Sequence, residues 1–81
     1  MMREKRIMLP TVADAKEFVS AASKCDFDID VFYNRVVIDA KSILGVLSLD
    51  LTRVLTVEYN GESEEFEAYL DSLEGNMTVV A

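Results

Sequence analysis

Few residues of this chain could do chemistry, and Ser42 is the best placed of them. It stands in DAKSILGVLSL, residues 39–49, behind Lys41 and ahead of Ile43, Leu44, Val46, Leu47 and Leu49. A serine before an apolar run is a preferred helix N-cap, because its oxygen accepts a free amide of the first turn. A phosphate on that hydroxyl would also meet the positive end of the helix dipole, adding charge without melting the helix. Thr11 is the second hydroxyl at a helix start, with Asp14 three residues on, a capping box in which Asp replaces the usual Glu or Gln. A threonine without an adjacent base is a weak nucleophile, so the cap is the simpler role.

The run DFDID, residues 26–30, has the spacing of a calcium loop, but Val31 and Val37 occupy the places that need glycine and a bidentate glutamate. It reads as a solvated strand face, and no metal is expected. Cys25 is the one cysteine, so no intrachain disulfide is expected, the thiol is read as structural, and the setting is read as cytoplasmic. The sequence contains no histidine, the usual acid–base group near neutral pH and the commonest metal ligand. Neither an enzyme nor a cofactor is expected.

The elements that must position these residues follow from periodicity. Eighty-one residues with 51% apolar content are read as one domain over 1–81, with a packed core. Residues 4–9 read as a strand stopped by Pro10, and Ala15, Phe18, Val19 and Ala22 define a helix stripe from the Thr11 cap to about Lys24. FDIDVFY, 27–33, alternates as a half-buried strand, and Asn34-Arg35 turns it into VVIDA, 36–40, with Val36, Ile38 and Ala40 inward. That register puts Asp30 opposite Asp39, tolerable only where water reaches both. The Ser42 helix runs over 42–49, a fourth strand over 53–59, and an acidic helix over 62–74 with the stripe Phe66, Tyr69, Leu70 and Leu73. Gly75 reads as the stop, and the tail 76–81 as packed or loose. The order β-α-β-β-α-β-α predicts an α+β sandwich: three helices on one sheet face, with Asp28, Asp30, Phe32, Val37 and Asp39 on the other.

This order, with AKSILGVLSLDL and FVSAASKCDFDIDV, resembles the HPr family of the sugar phosphotransferase system over about residues 4–73. The resemblance implies an open-faced β-sandwich with a four-stranded antiparallel sheet and three helices on one face. It also implies that Ser42 matches the target of a regulatory serine protein kinase, and that the apolar residues of the 42–49 helix dock partner proteins. The family's phosphoryl-accepting histidine falls on Thr11, its arginine on Ala13 and its proline on Asp14, while lysines of its first helix become Ser20 and Ser23. A threonine phosphoester is a poor onward donor, and without arginine the phosphate loses its bidentate clamp.

The short helix cannot turn its whole circumference to one sheet. Val46 and Leu49 are expected inward, leaving Ile43, Leu44 and Leu47 as an exposed patch for a protein partner. The leading expectation is a protein-binding module docking through the 42–49 helix, with Ser42 as its regulatory site. The alternatives are a phosphocarrier component using another acceptor such as Thr11, and a small ferredoxin-like ligand-sensing domain. With 15 acids against 8 bases and a net charge of −7, neither nucleic acid nor an anionic membrane is an expected partner. MMREKRIMLP lacks the apolar run of a signal peptide, and no stretch is long enough to insert in a membrane.

Overall fold

Thr11 opens the first helix as the sequence predicts. Its hydroxyl accepts the Asp14 amide at 3.1 Å, and the Asp14 carboxylate accepts the Thr11 amide at 3.2 Å, completing the capping box. The computed structural model describes residues 2–75. Their elements are β1 (Arg3–Ile7), α1 (Val12–Ser23), β2 (Ile29–Tyr33), β3 (Val36–Asp39), α2 (Ile43–Leu47), β4 (Leu55–Tyr59) and α3 (Glu64–Gly75). These four strands make one antiparallel sheet in the order β1-β4-β2-β3, so the last of them lies between the first two. The expected order and layering hold. The tail 76–81 lies outside the described residues.

One sheet face is dry. Ile7, Ile29, Val31, Leu55, Val57 and Tyr59 are buried there, and the helices cover them with Phe18, Val46, Phe66 and Leu70 among others. Three aromatic contacts tie the layers together. Phe66 lies 6.4 Å from Phe18 on α1 and meets Tyr59 on β4 edge-on at 5.5 Å, while Phe27 stacks on Tyr59 at 5.9 Å. Gly61 makes room for the last of these, since a Cβ there would fall 2.4 Å from the Phe27 ring.

Several boundaries differ from the periodicity reading, for local reasons. β1 stops at Ile7, and Leu9 is buried in the connection to α1 rather than in a strand. β4 begins at Leu55 instead of Arg53 because Asp50 accepts hydrogen bonds from the Thr52 amide and hydroxyl, holding that stretch as a turn. α3 starts at Glu64 instead of Glu62, with the hydroxyl of the preceding Ser63 accepting the Phe66 amide, and Gly75 is the helix's last residue rather than the one beyond it. Val36 is 42% exposed, although alternation turns it inward; it lies on the edge strand beside the hairpin tip, beyond the reach of a five-residue α2. At the Asn34-Arg35 turn only Asn34 has positive φ, 52°, so Arg35 avoids the left-handed region.

Charges distant in the chain meet in space. Arg3 pairs with Glu67 at 2.8 Å and Lys5 with Asp71 at 2.6 Å, so the bases of β1 hold the acidic α3 along its length. Each such exposed pair contributes about 0–1 kcal/mol, so together they orient α3 more than they stabilise it.

Candidate functional site

Ser42 is exposed and takes the N-cap of α2, its hydroxyl accepting the Gly45 amide at 3.2 Å. Two contacts fix the approach to it. The Asp39 carboxylate accepts the Lys41 amide at 2.9 Å, and the Lys41 ammonium donates to the Cys25 carbonyl at 2.8 Å. The loop after α1 is thereby fastened to the start of α2. Ser48 closes the other end of the helix, donating its hydroxyl to the Gly45 carbonyl at 2.6 Å.

The patch on α2 is smaller than expected. The helix ends at Leu47 rather than Leu49, where Ser48 caps it; Val46 within it and Leu49 just past it are buried as expected, and Leu44 is 80% exposed. Ile43 and Leu47, expected to be exposed with it, are half-buried against the core. Gly45 is the cause. It lies so close to β3 that a Cβ would come within 2.6 Å of the Ile38 methyl, and this approach lets the flanking side chains reach the core. Gly45→Ala would gain about 1 kcal/mol of helix propensity. It would also force the stiff, β-branched Ile38 or α2 itself to move, at about 1–3 kcal/mol. The expected outcome is a net loss of stability, read as a lower urea midpoint, with shifted amide resonances for Ser42 and Leu44.

The environment of Thr11 does not favour an anion. Its hydroxyl donates to the Asp14 carboxylate at 2.8 Å, so a negative group already occupies the space beside it. Ala13 offers no donor from its side chain. Below the helix, the Tyr69 phenol is held well above its ordinary pKa by burial and by the carboxylates of Glu17 and Asp14. Its oxygen is a buried side-chain atom with no hydrogen-bond partner among the described residues. The Cys25 thiol is buried, and burial raises its pKa, which keeps it protonated and unreactive.

Asp30 and Asp39 lie exposed on the uncovered sheet face, opposite each other as the hairpin register requires, while Asp28, also exposed, precedes β2, which starts at Ile29 rather than Phe27. The topology adds two carboxylates that sequence reasoning missed. Glu58 on β4 faces Asp30, and Glu4 on β1 faces Glu58. Only the neighbourhood of β4 brings them together, and periodicity within a strand carries no signal of it. Among the described residues no group of acids, with or without Cys25, has the arrangement of a metal site. No helix there is long and apolar enough to cross a membrane.

Four antiparallel strands with three helices on one face, in this chain order, define an open-faced β-sandwich of the phosphocarrier type. Residues 12–78 match the family profile described as the PTS HPr component phosphorylation site, and the chain belongs to the HPr family. Two solved structures are similar over nearly the whole chain. HPr-C-His from Thermoanaerobacter tengcongensis has a TM-score of 0.69 and 27% identity, covering 98% of this chain and 99% of that one. A phosphocarrier protein HPr from Bacillus anthracis str. Ames has a TM-score of 0.65 and 25% identity, covering 91% and 94%.

Proposed function

We propose that this protein is an HPr-family member that has left the phosphoryl relay and works as a cytoplasmic, protein-binding regulatory module. It docks through α2, and Ser42 is the residue at which a serine protein kinase would control it. The observation that carries this reading is Leu44, a large apolar side chain 80% exposed and two residues from an exposed, N-capping serine. An isolated exposed leucine is ordinary; one flanked by the half-buried Ile43 and Leu47 extends into a continuous apolar surface. Phosphate on Ser42 would stand at the edge of that surface and alter which partners it admits.

The chemistry at Thr11 supports the loss of the relay. A relay needs a nucleophile that accepts a phosphoryl group and releases it, as a near-neutral imidazole does. This chain has no histidine, and the position that the resemblance assigns to it is held by Thr11. The hydroxyl there belongs to a capping box, and the adjacent Asp14 would repel the incoming phosphate. Incubation with phosphoenolpyruvate and the general phosphotransferase enzyme is expected to leave the protein without any acid-labile phosphoryl group, as read by intact mass. Stoichiometric uptake on Thr11 that passes onward to a sugar permease component would overturn the reading. The docking half is tested separately, by partner capture with unmodified protein and with protein phosphorylated at Ser42. Leu44→Asp should abolish capture by either form.

A further inference from the structure

The uncovered face of the sheet carries two adjacent rows, one wholly acidic and one mixed, in which Phe32 and Val37 are the apolar members. The strand register sets Glu4, Glu58, Asp30 and Asp39 side by side across all four strands. At the usual spacing of about 4.8 Å between strands, the row spans about 14 Å. Two residues along each strand lie Arg6, Thr56, Phe32 and Val37, likewise in register. Val37 is 60% exposed, Val54 beside this row is 45% exposed, and Phe32 is half-buried. Asp30 and Glu58 of the acidic row also line a shallow concavity of about 490 Å³, together with Asp26, Asp28, Phe27 and Tyr59.

This arrangement is unfavourable for the free protein. Like charges directly opposite on a sheet destabilise it, and uncovered valines gain nothing in water. The Glu58 carboxyl is pushed above its ordinary range by desolvation and by the facing Glu4 and Asp30 carboxylates. Arg6 is the one base that the strands contribute to this face. Arg3 and Lys5 point to the other side, where they are occupied by Glu67 and Asp71. Among the described residues no ion pair neutralises the acidic row, although ion pairs neutralise much of α3.

We propose that this open face is a second docking surface, which takes a basic amphipathic segment of a partner protein. A lysine or arginine would neutralise the carboxylate row. An apolar side chain two residues further along an extended segment would lie about 7 Å away, the separation of Asp30 from Phe32, and would cover the Phe32–Val37 strip. Polyanions are excluded by the same charge. This surface lies on the side of the sheet opposite α2, so it stands independently of docking through Leu44.

The test is a titration of the isotopically labelled full chain with a synthetic peptide repeating Lys-Ser-Val-Ser, whose one extended face alternates lysine and valine. A peptide with glutamate for lysine is the control. Amide shifts should concentrate on Asp30, Phe32, Val37, Asp39, Thr56 and Glu58, and binding should weaken with added salt. The double variant Asp30→Asn, Glu58→Gln should bind about tenfold more weakly while melting no lower than the parent, because repulsion within the row is relieved. Val37→Ser, at an exposed site, should weaken binding without loss of fold. The α3 double variant Glu64→Gln, Glu65→Gln should bind as the parent does. Shifts centred on α3, equal weakening by the α3 variant, or equal binding of the glutamate peptide would overturn the proposal. So would concentration-dependent self-association that protects the same face, since a second copy would then be its occupant.

Discussion

Phe66→Ala is expected to destabilise the domain by about 3–5 kcal/mol, the ordinary range for deleting a buried aromatic side chain. A single domain of this length has roughly 4–12 kcal/mol to lose, at about 0.05–0.15 kcal/mol per residue. Phe66 is 2% exposed and touches Phe18 on one side and Tyr59 on the other, so its removal opens a cavity where α1, α3 and β4 meet. The edge-on contact with Tyr59 adds about 0.5–1.5 kcal/mol beyond area burial, which places the cost toward the upper end. Urea denaturation followed by circular dichroism measures it, with Glu64→Ala on the exposed side of the same helix as the control. A loss below about 1 kcal/mol would mean that the three elements hold together without this junction.

Leu49→Ala, just past the end of α2, and Leu44→Asp within it should separate the buried and the exposed side chains of this segment. Leu49 is 5% exposed, and its truncation should cost about 2–5 kcal/mol. Leu44 is 80% exposed, and even a charge there should change stability by no more than about 0.5 kcal/mol. Binding should show the reverse order: Leu44→Asp abolishes capture of partners, while Leu49→Ala retains it wherever the variant is folded. If Leu44→Asp unfolds the domain, Leu44 belongs to the core and the docking surface on α2 is lost. If Leu44→Asp folds and still captures every partner, the surface lies elsewhere. Leu47→Asp is unsuitable for this comparison, since Leu47 is half-buried and a charge there would disturb packing as well as binding.

Much of this molecule is legible in one dimension because it depends on neighbours in the chain. The Thr11 capping box joins residues three apart, and the α1 stripe of Ala15, Phe18, Val19 and Ala22 lies within four turns. The hairpin of β2 and β3 is closed by two residues, so alternation and turn length together placed Asp30 opposite Asp39. That Ser42 caps α2, and that Val46 within it and Leu49 just past it are buried, follows from the same short-range rules.

What the chain order leaves open is which distant segments become neighbours. β4 inserts between β1 and β2, and only that insertion sets Glu4 beside Glu58 and Glu58 beside Asp30. The same topology carries α3 along β1, turning two blocks of opposite charge separated by about sixty residues into ion pairs. Gly45 illustrates the limit within a single short helix. By type it is a poor helix former; by position it is the gap that admits Ile38 and draws Ile43 and Leu47 toward the core, leaving Leu44 outside. The absence of a relay histidine was therefore determined by the sequence itself, since chemistry needs the residue to be present. The extent of the α2 patch and the four-carboxylate row were decided by tertiary structure, because burial and charge proximity depend on the distances between elements.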